Sequence, residues 1–173
     1  MKLLLPPTIV KRLRREVRGR LHEMGGVLVG EHVATGVFRV VDMSVQVRGG
    51  TVAHFVRDPQ HHKAFLADFF CRTGHNYQKF NYIGEWHSHP AFKPLPSGPD
   101  FATMFDLVED PVVGVNFAIL IIVRLLFWSR LELSATLFQA GVVPEPISVE
   151  LEDDEETESR RFMLDWIFDW FRN

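Results

Sequence analysis

Cysteine is almost absent from this chain. A single thiol, Cys71, stands in 173 residues. That excludes an intrachain disulfide and fits a reducing, cytoplasmic setting. A strong charge of either sign is also missing: 19 basic residues face 22 acidic ones, for a formal net charge of −3. A dedicated nucleic-acid binder should be markedly basic, so this balance argues against that class. No apolar run is long enough for a membrane span. The most hydrophobic stretch, Val115 to Trp128, is interrupted by Arg124 and falls short of the roughly 18 residues required. Its β-branched content fits a buried strand instead. The start, MKLLLPP, carries too short an apolar run before proline to read as a secretory signal.

One segment is rich where the rest is plain. His87-Ser88-His89 is followed, after seven residues, by Ser97 and then by Asp100. Side chains two apart on a strand point the same way, so His87 and His89 can converge. A carboxylate returned by the following loop closes a third ligand position. Three such ligands leave the fourth tetrahedral position of Zn²⁺ open, which distinguishes catalytic from structural zinc. Pro90, Pro94, Pro96 and Pro99 stiffen the loop. Asp100 then falls in the first turn of a helix, where a carboxylate suits the dipole. Ser88 is small and fits the strand better than it suits a nucleophile.

The remaining chain reads as one domain of alternating helices and strands. Ile9, Leu13, Val17 and Leu21 form an apolar stripe predicting a helix over 8–22, capped by Thr8 and ended by Gly25-Gly26. Its basic face, from Lys11 to Arg20, reads as a solvated surface. A strand begins at VLVG, a second spans 38–47 after a turn at Gly36, and a third is placed over 52–57. Asp58-Pro59 opens a helix running to Cys71. His61 and His62 are expected to be exposed or weakly packed, and Cys71 to be a small buried hydrophobe. Strands over 80–87, 117–128 and 131–140 follow, the last two as a hairpin turning at Ser129-Arg130.

The metal-binding pattern resembles the JAMM motif of the JAB/MPN metalloproteases, Glu … His-x-His-x₇-Ser-x-x-Asp. His87, His89, Ser97 and Asp100 fill it with spacing kept, and the wording YIGEWHSHP is similar to the bacterial JAB branch. The family glutamate precedes a glycine pair, which Glu23 does in EMGGVLVG. Glu31, after the strand, is its rival. Glu85 is a third nearby carboxylate, expected to support the site or face substrate. The resemblance implies an α/β fold, a JAB/MPN-like (cytidine-deaminase-like) central mixed sheet flanked by helices. It also implies one Zn²⁺ per chain on His87, His89 and Asp100, with Glu23 as general base and Ser97 as oxyanion donor. The implied reaction is hydrolysis of the amide after the C-terminal glycine of a ubiquitin-like protein, in conjugates or precursors. Activating and conjugating enzymes of the same operon become expected partners, and nucleic acid and membrane do not. Gly49-Gly50 and Phe92-Lys93 are candidate rims for the bound tail. Trimming of a sulfur-carrier protein is an alternative. So are a RadC-like role in DNA repair, although its loop begins HNHPSG where this one reads HSHPAF, and a non-catalytic MPN scaffold.

The chain changes character after about residue 143. Pro144 and Pro146 are expected to mark the exit from the sheet, setting a domain of 1–143 apart from a tail of 144–173. Seven acids lie between Glu150 and Glu158. Phe162, Trp166 and Trp170 then repeat every four residues, predicting an amphipathic aromatic helix. So large an apolar stripe should be covered, by the domain itself, by a partner or by another copy of the chain.

Overall fold

The computed structural model describes residues 1–52, 55, 57–127 and 129–153. In chain order the elements are β1 (Lys2–Leu5), α1 (Pro7–Val17), β2 (Gly25–Ala34), β3 (Val37–Met43), α2 (Pro59–Arg72), β4 (Phe80–Ser88), α3 (Gly98–Glu109), β5 (Ala118–Leu126), β6 (Arg130–Phe138), β7 (Glu145–Pro146) and β8 (Ser148–Leu151). All eight strands join one mixed sheet in the order β7-β6-β5-β4-β2-β3-β1-β8. β4 and β5 are parallel, and α3 makes the crossover between them. The other pairings among β2 to β7 are antiparallel.

Alternation on β5 sorts the core into two layers. Ile119, Ile121 and Val123 pack with α1 residues Ile9, Leu13 and Val17 on one face. Ala118, Leu120 and Ile122 pack with Met104 and Val108 of α3 on the other. A strand covered on both faces needs apolar residues at every position, which accounts for the continuous run. Arg124 breaks that run opposite Glu132 of β6, and its guanidinium donates to the Glu132 carboxylate at 2.6 Å.

α1 is shorter than its sequence pattern. It ends at Val17, with a fully buried Leu13. Leu21, on the same extrapolated stripe, is 78% exposed. Gly19, at φ +71°, turns the chain out of the helix. Gly25 and Gly26 belong to β2 rather than to a helix end. α2 follows its signals closely: Pro59 is in the first turn, and the Asp58 side chain accepts from the Gln60 N–H at 2.9 Å.

Four further expectations change. Cys71 is exposed, because it falls on the outer face of α2. β3 stops at Met43. Of the third strand placed over 52–57, only an isolated bridge between Gly50 and Phe55 is found among the described residues. The chain also stays in the sheet beyond Pro144 and Pro146. Pro146 pairs with Thr136, and β8 then adds in parallel to β1, Leu3 opposite Val149. The aromatic segment of the tail lies outside the described residues. Among those described, no helix is long and apolar enough to cross a membrane.

His62 departs most from expectation, being fully buried. The Ser44 hydroxyl accepts from the Val27 N–H at 2.9 Å and lies 2.7 Å from His62 Nδ1. On the far side, His62 Nε2 lies 3.0 Å from Gln46 Oε1, which also accepts from the Asp58 N–H. Gln46 Oε1 can only accept, so Nε2 carries the proton and Nδ1 receives the Ser44 hydroxyl. The network suits a neutral ring. Burial, with charge on His61 and Arg57, lowers the His62 pKa to about 4.

Two measurements follow. Leu13→Ala should cost about 2–5 kcal/mol in urea denaturation, and Leu21→Ala less than about 0.5. The unfolded chain binds a proton at His62 below about pH 6.5 and the native state does not, so stability should fall as pH drops through that window. Between pH 7 and 5, wild type should lose about 2 kcal/mol more than His62→Asn.

Candidate metal centre

The site forms where β2 begins and β4 ends. Their antiparallel register places Gly25 opposite His87 and Gly26 opposite Trp86. The same register carried one step outward sets Met24 against Ser88, and two hydrogen bonds hold that step. The Ser88 N–H donates to the Met24 carbonyl at 2.8 Å, and the Met24 N–H donates to the Ser88 hydroxyl at 3.1 Å. Ser88 is thus a strand clamp. One step further, Glu23 comes to lie across from His89. By the two-residue repeat, Glu23, His87 and His89 therefore share a face.

The geometry agrees. Side-chain ligand atoms of Glu23, His87 and His89 all lie within 4.8 Å of one another, and all three residues are buried. The two Nε2 atoms are 3.1 Å apart. Asp100 Oδ1 is 3.4 Å from His87 Nε2, Asp100 Oδ2 is 3.9 Å from His89 Nε2, and Glu23 Oε1 is 3.8 Å from His89 Nε2. Donors on one tetrahedral Zn²⁺, bound at about 2.0–2.1 Å, sit about 3.3 Å apart. The imidazole pair, and His87 with Asp100 Oδ1, are close to that spacing, and Glu23, His87 and His89 are grouped tightly enough to hold a metal ion.

Support around the ligands is specific. His89 Nδ1 lies 2.9 Å from the Lys93 carbonyl. A carbonyl only accepts, so Nδ1 carries the proton and Nε2 keeps its lone pair facing the site. Asp100 is the third residue of α3, in a capping box with Ser97. The Ser97 N–H and hydroxyl both donate to Asp100 Oδ2, at 2.7 and 2.6 Å. One carboxylate oxygen is held in this way and the other faces His87. The Ser97 hydroxyl proton is therefore committed to Asp100, a positioning contact that motif spacing alone did not suggest.

Gly25 is required for space. A Cβ there would lie 2.2 Å from the Trp86 carbonyl oxygen and 2.9 Å from His87 Cβ. Gly50 packs as tightly on the Glu23 backbone, where a Cβ would fall 1.8 Å from the carbonyl oxygen, and the Glu23 N–H donates to the Thr51 carbonyl. The Gly49-Gly50 loop thus lies against Glu23. Phe92, in the other expected rim, is half exposed. Burial, and then the charge of Asp100, raises the Glu23 pKa to about 7.

Glu31 is not part of this group. It sits at the opposite end of β2, paired with Arg39 and Lys79. Glu85 lies two residues before His87 on the same face, buried in an ion pair with Arg57 and within reach of the Tyr82 hydroxyl. Burial raises its pKa, and the Arg57 charge opposes the rise. Arg57 is the neighbour that sequence reasoning missed, because placing 52–57 as a strand did not say what that segment packs against.

The Ser97–Asp100 clamp has a measurable consequence. Ser97→Ala should weaken Zn²⁺ binding about 10–100-fold, the usual scale for losing a ligand-orienting contact. Competition against a chromophoric chelator at pH 7 reads this directly, and an unchanged affinity would show that the clamp does not orient Asp100.

No curated protein matches the chain significantly. Among solved structures, the solution structure of protein DSY2949 from Desulfitobacterium hafniense is similar at a TM-score of 0.64 and 18% identity, over 88% of this chain and 94% of that one. That likeness speaks to the fold. The family described as prokaryotic homologs of the JAB domain matches residues 7–134, spanning both Glu23 and the His-x-His…Asp segment. This chain belongs to the prokaryotic JAB-domain family.

Proposed function

We propose that this protein is a zinc-dependent peptidase that hydrolyses the amide bond after the C-terminal glycine of a ubiquitin-like protein, in a conjugate or a precursor. The observation that carries the reading is the convergence of two imidazole Nε2 atoms 3.1 Å apart with one carboxylate on either side, Asp100 and Glu23. His87, His89 and Asp100 would hold the metal, since Asp100 is fixed by two donors with one oxygen left toward His87. A bound Zn²⁺ would supply a Lewis acid for the scissile carbonyl and lower the pKa of water at the site. Glu23, buried beside His89, accepts the proton of the attacking water at its carboxylate and returns it to the leaving amine. Ser97 would serve the developing oxyanion only by turning its hydroxyl from Asp100.

The substrate class is what the family resemblance implies. A glycine-ended tail is narrow and extended, and it can approach along backbone where bulkier chains cannot. Activating and conjugating enzymes of the same modifier system are the partners this reading implies. Trimming of a sulfur-carrier protein uses the same bond chemistry and is separated from it by substrate alone.

A non-catalytic scaffold is the other reading, and the two are separated by cleavage alone.

One experiment separates catalysis from scaffolding. Zinc-loaded wild type, Glu23→Gln, Glu31→Gln and His87→Ala are assayed on ubiquitin-like and sulfur-carrier fusions, with metal content measured in parallel. Glu23→Gln should retain about one zinc per chain and lose about 10²–10⁴ in kcat. Glu31→Gln should cut within about twofold of wild type, as expected of a surface ion-pair residue. His87→Ala should lose both zinc and cleavage. Full activity in Glu23→Gln would refute the proton-transfer assignment, and a zinc-loaded wild type that cuts nothing would favour the scaffold.

A further inference from the structure

Ser97 is already occupied: its N–H and its hydroxyl both donate to Asp100 Oδ2. A donor for a developing oxyanion has to come from elsewhere, and a small cavity at the site offers one. It measures about 20 Å³, room for a single water-sized oxygen. Arg57, Glu85, His87, Asp100 and Thr103 are its polar walls, and Glu23 and His89 are not among them. Glu23 faces His89, so the cavity opens on the His87 side of the site and the base on the other. The Arg57 Nε is ion-paired with Glu85 Oε1, and that oxygen also accepts from the Tyr82 hydroxyl at 3.4 Å. The pair fixes the guanidinium through Nε alone. Among the described residues nothing accepts from its two Nη groups. Thr103, one turn along α3 from Asp100, brings a hydroxyl that is likewise unpartnered among them.

We infer that Arg57, oriented by Glu85 and assisted by Thr103, binds the tetrahedral oxyanion; this rests on the hydrolysis proposed above. In that reaction the water oxygen bonds to the carbonyl carbon, one water proton passes to Glu23, and the carbonyl π pair moves onto oxygen. That pair then re-forms the carbonyl as the C–N bond breaks. The electrons of the broken bond go to nitrogen, which takes the proton back from Glu23. Full negative charge sits on the oxygen only between these events, so donors aimed there favour the transition state over the substrate. Met104 and Leu120 complete the cavity with apolar surface, where a guanidinium–oxyanion contact is stronger than in water. Glu85 balances the Arg57 charge without consuming the Nη donors.

Binding of a tetrahedral anion tests this apart from cleavage. The probe is N-acetylglycyl-aminomethylphosphonate, titrated calorimetrically into zinc-loaded protein, with N-acetyldiglycinamide as its planar counterpart. Arg57→Gln should weaken the phosphonate about 30-fold and the amide less than about threefold, with about one zinc per chain retained. Thr103→Val should weaken the phosphonate about three- to tenfold. On cleavable fusions, Arg57→Gln should lose about 10²–10³ in kcat with KM little changed. Removing Arg57 also leaves Glu85 buried without its partner, so Arg57→Gln/Glu85→Gln is measured beside it. The double variant should bind the phosphonate as weakly as the single one. Equal phosphonate affinity in wild type and Arg57→Gln would overturn the assignment. So would recovered affinity in the double variant, or a wild type that takes up no phosphonate. A wild type that holds the phosphonate through Arg57 yet cuts no fusion would refute the substrate class and leave the oxyanion assignment standing.

Discussion

The register between β2 and β4 is the constraint on which the rest depends. Gly25, Gly26 and Val27 are paired with His87, Trp86 and Glu85, and the Ser88 N–H extends the match to the Met24 carbonyl. The mutual clamp of Met24 and Ser88 secures the end beside the site. Period-two alternation then selects the face, and Glu23, His87 and His89 fall together without long flexible reaches. Side chains carried on strands are held more precisely than side chains on loops. Only Asp100 must be brought from elsewhere, and it arrives on the first turn of a helix, with its second oxygen tied down by Ser97.

Burial shapes the electrostatics around that register. Glu23 and Glu85 are both buried, and both have their charged forms disfavoured. They are managed differently. Glu85 has Arg57 as a partner in a nearly dry setting, which makes it a structural prop whose removal would strand a charge. Glu23 instead faces the imidazole pair, where a bound cation would restore its charged form. His62 is a further buried ionisable group, away from the site. Its polar partners on Ser44 and Gln46 join the start of α2 to the segment following β3, behind the wall that carries the site.

The site was legible in the sequence because its signals are local. His-x-His, the proline-rich loop and the Asp58-Pro59 cap each fit within a dozen residues, and the glycine pair after Glu23 marked the first carboxylate. What escaped reading was long-range. β1 and β8 pair residues 2–5 with residues 148–151, and four-residue strands carry too little alternation to announce themselves. The stripe through Leu21 misled because hydrophobic spacing continued after Gly19 had ended the helix. His62 looked like a surface residue because its partners, Ser44 and Gln46, lie sixteen and more positions away. Arg57 escaped because its partner, Glu85, lies 28 positions away in sequence.

The pairing of β2 with β4 slips by one residue between Leu28 and Val29, at a bulge beside Gly84, whose φ is +148°. This kink divides the strand pair into two compartments that are read independently. Inserting or deleting a residue on the side of Glu31 and Phe80 shifts a frame the bulge has already reset, and the half that carries His87 keeps its parity. The same event between Gly25 and Leu28 would turn the carboxylate toward α1 and leave the imidazoles behind. Loop-length variation should therefore be tolerated at the far end of these strands and purged at the near end.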